Sequence, residues 1–233
     1  MIFTNVLMIE PPKKLVPKFF GKTAKSYDKV VTWATFGQDK YWKKEILKKI
    51  PSVNAVLDLA CGTGILTKLI ADANPNAKIV GVDIMQNYLD VAKTNSQNYD
   101  NITYLNQDAE KLDLDLKFDC ITSSYLPKYC NAEMLVKVCI KHLSDNGKII
   151  FHDFTYPKNR VMQNLWDLYF VVLNFLGIFI PSWKEVFRDL PKLIRSSMWL
   201  DDYEKAMADN GLKTEQKFLT FSSSAILVGK KIC

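Results

Sequence analysis

At 233 residues the chain can build one full hydrophobic core, and 48% hydrophobic against 24% charged residues describes a globular protein, not a disordered one. The formal net charge is +6 and almost wholly lysine, with Arg160, Arg188 and Arg195 the only arginines. Base-edge and phosphate readout favours the planar arginine fork, so no nucleic-acid partner is expected; the excess argues for solubility or attraction to an anionic membrane surface.

Residues 1–8 are apolar but lack a basic leader and a cleavage site, which argues against a signal peptide and leaves Met1 or Met8 as the start. Residues 1–37, with Pro11, Pro12, Pro17 and scattered lysines, read as an irregular N-terminal arm. A basic amphipathic helix is expected over 38–50, with Trp42, Ile46, Leu47 and Ile50 on one side. Lys40, Lys43, Lys44, Lys48 and Lys49 fall on the rest, and Pro51 stops it.

From residue 55 strands and helices alternate: strand 55–59, helix 65–73, strand 78–83, helix 86–95, strands 103–107 and 119–123, helix 132–143, strand 148–153. Such alternation predicts an α/β fold, a mostly parallel sheet covered by helices on both faces, with ligand at the carboxyl edge of the strands. Residues 168–183 then carry no charge and are dense in Phe, Leu, Val and Ile, but Asn174, Gly177 and Pro181 interrupt them short of a bilayer span. They read either as a buried helix or as the wall of a pocket for a greasy substrate, inside a helical cap over about 158–200 of a domain spanning 38–233. Residues 212–218 and 225–230 read as a closing hairpin.

Five cysteines are an odd count without paired spacing. Cys139 and His142 come nearest to a metal pair and no second pair completes four ligands, so a reduced, cytoplasmic protein without structural metal is expected.

The most informative stretch is Asp58-Leu59-Ala60-Cys61-Gly62-Thr63-Gly64, set between an apolar strand and a helical pattern, with Asp83 nineteen residues after Gly64. Gly62 and Gly64 let the backbone approach a ligand where a Cβ would collide. The helix behind them presents free N–H groups, and Asp83, ending the next strand, is placed to accept from both hydroxyls of a ribose. The third glycine of a dinucleotide fingerprint is missing, Thr67 standing in its place, and no Gly-Lys-Ser/Thr completes a phosphate loop. A nucleoside-containing cofactor of another kind is implied.

This stretch resembles motif I of the class I S-adenosylmethionine-dependent methyltransferases. Tyr27-Asp28, Phe36-Gly37 and Trp42-Lys43 upstream look like the N-terminal signature of the ubiquinone/menaquinone biosynthesis C-methyltransferase (UbiE-type) family. Asp108-Ala109-Glu110, Phe118-Asp119-Cys120-Ile121-Thr122 with Ser124, and Asp153-Phe154 with Pro157 resemble later segments of it. The chain departs from that family at Asp39-Lys40, where members carry His-Arg, and at Leu126-Pro127-Lys128-Tyr129, where they carry Gly-Leu-Arg-Asn and Lys128 stands in for the arginine.

The resemblance implies a Rossmann-like, seven-stranded sheet with an antiparallel last strand. It also implies S-adenosylmethionine as cofactor, S-adenosylhomocysteine as product, and a lipophilic quinol as substrate. Ala60, Gly62, Thr63 and Gly64 would hold the methionine and ribose region with Asp58 nearby, Asp58 having turn stabilisation as its alternative. Asp83 would take the ribose hydroxyls, Ile84 or Met85 would pack on adenine, Asp108 and Ala109 would hold its amino edge, and Ser124 would lie near the amino-acid end. Methylating a hydroquinone carbon requires loss of a hydroxyl proton. Tyr27, Asp28, Lys128, His152 and Asp153 are candidates, with Asp153 or a water favoured and His152 expected to be a satisfied core histidine. Another lipid or aromatic acceptor, an RNA methyltransferase, and a binding protein without turnover remain open. So do peripheral membrane contact and a homodimer.

Overall fold

The computed structural model describes residues 12–231, so the expectations for residues 1–8 and for the starting methionine lie outside the described residues. Seven strands form one sheet: β1 (Ala55–Leu59), β2 (Lys78–Asp83), β3 (Ile102–Asn106), β4 (Phe118–Ser124), β5 (Leu143–Phe154), β6 (Leu212–Leu219) and β7 (Ser224–Lys231). Their order is β3-β2-β1-β4-β5-β7-β6. The first five run parallel, and β7 alone runs against the direction of the other six, closing the sheet with β6 as the terminal hairpin implies.

The interior of β1 is buried on both faces, as suits a central strand of a parallel sheet. The chain steps from β1 outward to β2 and β3, then returns to place β4 on the other side of β1. That reversal opens a crevice beyond the carboxyl ends of β1 and β4, where ligands bind in open α/β sheets.

Helices α3 (Gln38–Leu47) and α4 (Ile65–Ala73) pack on one face of the sheet around Trp42, Ile46, Val56, Ile70 and Ile79. Helices α6 (Ala132–His142) and α9 (Trp199–Asp209) cover the other around Leu57, Ile121, Leu135, Phe151 and Tyr203, and α5 (Gln86–Asn95) follows β2. Helices α1 (Leu15–Phe20) and α2 (Tyr27–Ala34) meet α7 (Arg160–Leu176) and α8 (Lys184–Ser196) in a third, aromatic cluster. Phe19, Trp166, Phe170, Trp183 and Phe187 are at its centre.

Three expectations change. The described part of the N-terminal arm is helical, because packing of Phe19 and its neighbours against the α7–α8 layer stabilises helices too short to persist alone. Lys43 is not on the solvated side of α3: it is buried and paired with Asp39 one turn earlier. The charge-free stretch is not simply buried either. Trp166, Phe170 and Leu173 face inward from α7, while Leu168, Val171 and Phe175 face outward, Phe175 at 62% exposure.

Candidate active site

The turn after β1 adopts a left-handed backbone at three alternate positions, Ala60 (φ 53°), Gly62 (φ 58°) and Gly64 (φ 80°). A Cβ on Gly64 would sit 2.5 Å from the Tyr104 hydroxyl, so a larger residue there would have to displace that phenol as well as hold a left-handed backbone. Asp83 staples this turn to the end of β2, its Oδ2 accepting from the Gly62 N–H at 2.9 Å and its Oδ1 from the Met85 N–H at 2.8 Å. Burial pushes the Asp83 carboxyl above its ordinary range, against the pull of those backbone donors.

A cleft of about 740 Å³, mouth included, opens over this turn. Ala60, Gly62, Asp83, Met85, Ala109 and Ser124 line it; Ile84 and Asp108 complete its rim. A smaller space of about 330 Å³ lies behind it and shares Ala60, Gly62, Ser124, Tyr27 and Tyr125 with it, adding Asp58 and Thr63. Gly64 supports the turn from outside the lining.

Asp58 is buried, accepting from Thr67 Oγ1 at 2.6 Å and Thr122 Oγ1 at 3.0 Å. The second bond follows from register, since Asp58 and Thr122 are direct partners across β1 and β4. Burial lifts the Asp58 carboxyl to about 6, the two threonine bonds opposing it. Asp108 at the rim is held by Lys13, whose Nζ lies 2.6 Å from each carboxylate oxygen, and by the Glu110 N–H.

On the opposite side of Tyr27, Tyr125 and Tyr129 lies a second and larger cavity of about 1310 Å³. Its walls are Phe154, Trp166, Phe170, Trp183 and Phe187, and the single ammonium among its lining residues is Lys128. Lys128 Nζ donates to Asp153 Oδ1 at 2.7 Å and to the Tyr125 carbonyl at 2.8 Å, and stands 4.5 Å from the centre of the Tyr129 ring. Burial draws the Lys128 ammonium below its usual range and lifts the Asp153 carboxyl above its own, each charge resisting the shift of the other.

Asp153 is not among the residues lining these cavities. Its oxygens accept from Lys128 Nζ, the Lys128 N–H and the Phe154 N–H. His152 is buried between Ser124 Oγ (2.9 Å) and Ser224 Oγ (2.6 Å), and burial holds its imidazole far below its usual range, the satisfied core histidine expected of it. Among the described residues no group of side chains is arranged to hold a metal ion.

Residues 8–231 match the model of the ubiE/COQ5 methyltransferase family. The chain belongs to the ubiE/COQ5 methyltransferase family. It is 32% identical to the ubiquinone/menaquinone biosynthesis C-methyltransferase of Francisella philomiragia, over 98% of this chain and 95% of that protein. It is 28% identical to the demethylmenaquinone methyltransferase of Lactobacillus johnsonii, over 99% and 98% respectively. The same fold occurs in the magnesium protoporphyrin IX methyltransferase of Synechocystis PCC 6803 (TM-score 0.65, 19% identity, 94% of this chain and 100% of that one). It recurs in the N-methyltransferase NodS of Bradyrhizobium japonicum WM9 (TM-score 0.62, 10% identity, 95% and 99%).

As a member of the ubiE/COQ5 family the chain is an S-adenosylmethionine-dependent methyltransferase, and the cleft over the glycine turn fits that cofactor. Ala60 and Gly62 line it with nothing larger than a methyl group, a Cβ at Gly62 would meet only Tyr88, at 3.7 Å, and the carboxylates of Asp83 and Asp108 line it beside Lys13, Gln107 and Ser124. Several site residues of this family member escaped sequence reasoning. Tyr125, at φ 75°, borders both cavities, and its hydroxyl donates to Asp39 at 2.8 Å across 86 positions, a pairing no local pattern announces. Phe20 and Tyr129 also border both. Lys13 lay hidden in a segment read as irregular, whereas the Asp39–Lys43 spacing of one helical turn was a usable signal.

Proposed function

We propose that the chain methylates a ring carbon of a polyprenylated hydroquinone of the demethylmenaquinol type. The observation that carries this reading is the aromatic cavity: large and apolar, it borders the donor cleft across a wall of Phe20, Tyr27, Tyr125 and Tyr129, with one buried cation, Lys128, among the residues that line it. The names and near-complete coverage of the two quinone-methylating relatives support it.

Bound S-adenosylmethionine supplies an electrophilic methyl group on a sulfonium sulfur. Asp83 would accept from the ribose hydroxyls, Ile84 or Met85 would pack on the adenine, and Asp108 with Ala109 would meet its amino edge. Ala60, Gly62, Thr63 and Gly64 shape the ribose and methionine region, with Asp58 and Ser124 behind it. Burial holds the Tyr27 phenol well above its usual range, so at neutral pH Tyr27 acts as a hydrogen-bond donor across the shared wall, not as a base.

Lys128 stabilises the acceptor's oxygen as it loses its proton, which makes the neighbouring ring carbon nucleophilic. Asp153, with both oxygens engaged, is a positioning residue for Lys128; the hydroxyl proton leaves to water, and after transfer the hydrogen on the methylated ring carbon is lost and the oxygen reprotonated, which restores the aromatic hydroquinone. The aromatic walls exclude other water while holding the ring in line with the methyl.

The outer side of the acceptor cavity supports peripheral contact with a membrane. Phe36, Leu165 and Phe221 line that cavity and are exposed, and the outward face of α7 extends the apolar surface beside exposed Arg160. No helix among the described residues is long and apolar enough to cross a membrane. A homodimer formed through this face is the alternative use of it.

The test supplies the purified protein with methyl-labelled donor and a reduced lipid extract or defined acceptors. Label on demethylmenaquinol, and none on fatty-acyl or sterol acceptors, is expected. Label on another lipid or aromatic metabolite alone overturns the quinol assignment and leaves methyl transfer standing.

A further inference from the structure

The small space behind the glycine turn has one cation on its wall. Lys43 projects there from α3, with Asp58, Thr63, Ser124 and Tyr125 around the same space. It is 5% exposed, and among the described residues its ammonium has one acceptor, a carboxylate oxygen of Asp39. An ammonium carries three donors, so two remain for a ligand. The N-terminus of α4, a nine-residue helix beginning at Ile65, borders the same space through Ile65 and Leu66 and adds the positive end of its dipole. The Lys43 charge reaches inward far enough to act on both Asp58 and His152.

We propose that Lys43 is the anchor for the α-carboxylate of the donor's methionyl group. This rests on the donor reading of the neighbouring cleft, with which the space shares Ala60, Gly62 and Ser124. Asp39, the one carboxylate that Lys43 is hydrogen-bonded to among the described residues, is shared with Tyr125, and the other groups facing the ammonium are the Tyr125 ring at 5.2 Å and the Asp58 charge, felt without a direct bond; a carboxylate entering beside Lys43 takes up its free donors and gains a charge-assisted bond in a site remote from water. Asp39 then acts as a positioning residue, fixing Lys43 toward the donor while tying it to Tyr125 on the acceptor side. Asp58, on the same wall, gives the space a negative group as well, so that it suits a zwitterion better than a simple anion.

The test measures calorimetric binding of S-adenosylhomocysteine and of its decarboxylated analogue, which keeps the amine and lacks only the carboxylate. Wild type is expected to prefer the carboxylate-bearing ligand. Lys43→Gln lowers affinity for it by about ten- to a hundredfold and leaves the analogue nearly unchanged, while Lys43→Arg restores most of the preference. Asp39→Asn, which removes the internal counter-charge, widens the preference and decides the matter should Lys43→Gln fail to fold. An unchanged preference in Lys43→Gln, or in Asp39→Asn where that variant is the one that folds, overturns the inference. Failure of the wild type to bind either ligand overturns the donor reading instead.

Discussion

Lys128 and Asp153 face each other at 2.7 Å with both side chains closed off from bulk solvent, and yet the lysine borders the acceptor cavity. Removing one partner of such a pair strands the other charge. Asp153→Asn should therefore destabilise the fold by about 3–5 kcal/mol in urea denaturation, with much of the loss recovered in the Lys128→Met, Asp153→Asn double variant. Lys128→Met should lower turnover while S-adenosylhomocysteine affinity stays within about twofold of wild type.

Asp58 makes a signed pH prediction. Its carboxyl is lifted by burial to about 6, so the folded state holds this proton more tightly than the unfolded chain does. The group's contribution to stability is full below the ordinary 3.8 and is lost as pH rises through about 6. Asp58→Asn should be more stable than wild type at pH 7 by up to about 3 kcal/mol, and the gap should close by pH 4. Urea titrations at four pH values across that span measure it, and a gap that grows on acidification contradicts the burial argument.

Two glycines separate strain from collision. Gly37 and Gly64 share a left-handed backbone (φ 75° and 80°), but nothing lies within 4 Å of a Cβ at Gly37, whereas Tyr104 stands 2.5 Å from one at Gly64. Gly37→Ala should cost about 1 kcal/mol with donor affinity intact. Gly64→Ala should cost more, about 3 kcal/mol or above, and weaken S-adenosylhomocysteine binding at least tenfold, as read by thermal melts and calorimetry.

Lys13 occupies both carboxylate oxygens of Asp108, where the adenine amino group would donate. The pair is partly exposed, Lys13 reaching Glu110 as well, and a solvent-screened bridge of this kind contributes about 1 kcal/mol or less to the fold. Lys13→Ala should leave the melting temperature within a few degrees and tighten nucleoside binding several-fold, with a reduced salt dependence. Weaker binding would instead make Lys13 a clamp over the base.

The outward face of α7 gives a vesicle prediction. Val171→Glu with Phe175→Glu changes two exposed positions, so the fold and the turnover of a short-tailed, water-soluble quinol should be unaffected. Flotation with anionic liposomes should fall sharply. If flotation persists and sedimentation instead shows a dimer lost in the variant, the face joins two copies.

The central sheet was legible because parallel strands bury both faces and read as short apolar runs: β1 and β2 fall at their expected residues, and β4 gains one residue at each end. The turn at Gly62 and Gly64, with Asp83 on the next strand, was legible because its backbone demands fix residue types. The N-terminal helices were not, since Pro17 and Lys18 disguise a segment held in place by Phe19 and a cluster contributed from over a hundred residues away. Lys43 was misread because helical periodicity sorts residues by polarity, and a buried lysine needs knowledge of Asp39 and the space it faces. The two-sidedness of α7 was hidden by a stretch apolar all round, which gives no direction to either face.

Helices α7 and α8 enter the chain after β5 and leave it before α9, and they wall the acceptor cavity while lining no part of the donor cleft. Substitutions on α7 and α8 can thus reshape part of the acceptor cavity without replacing any residue that lines the donor cleft, while Phe20, Tyr27, Tyr125 and Tyr129, common to both, tie the shape of the acceptor to delivery of the methyl group.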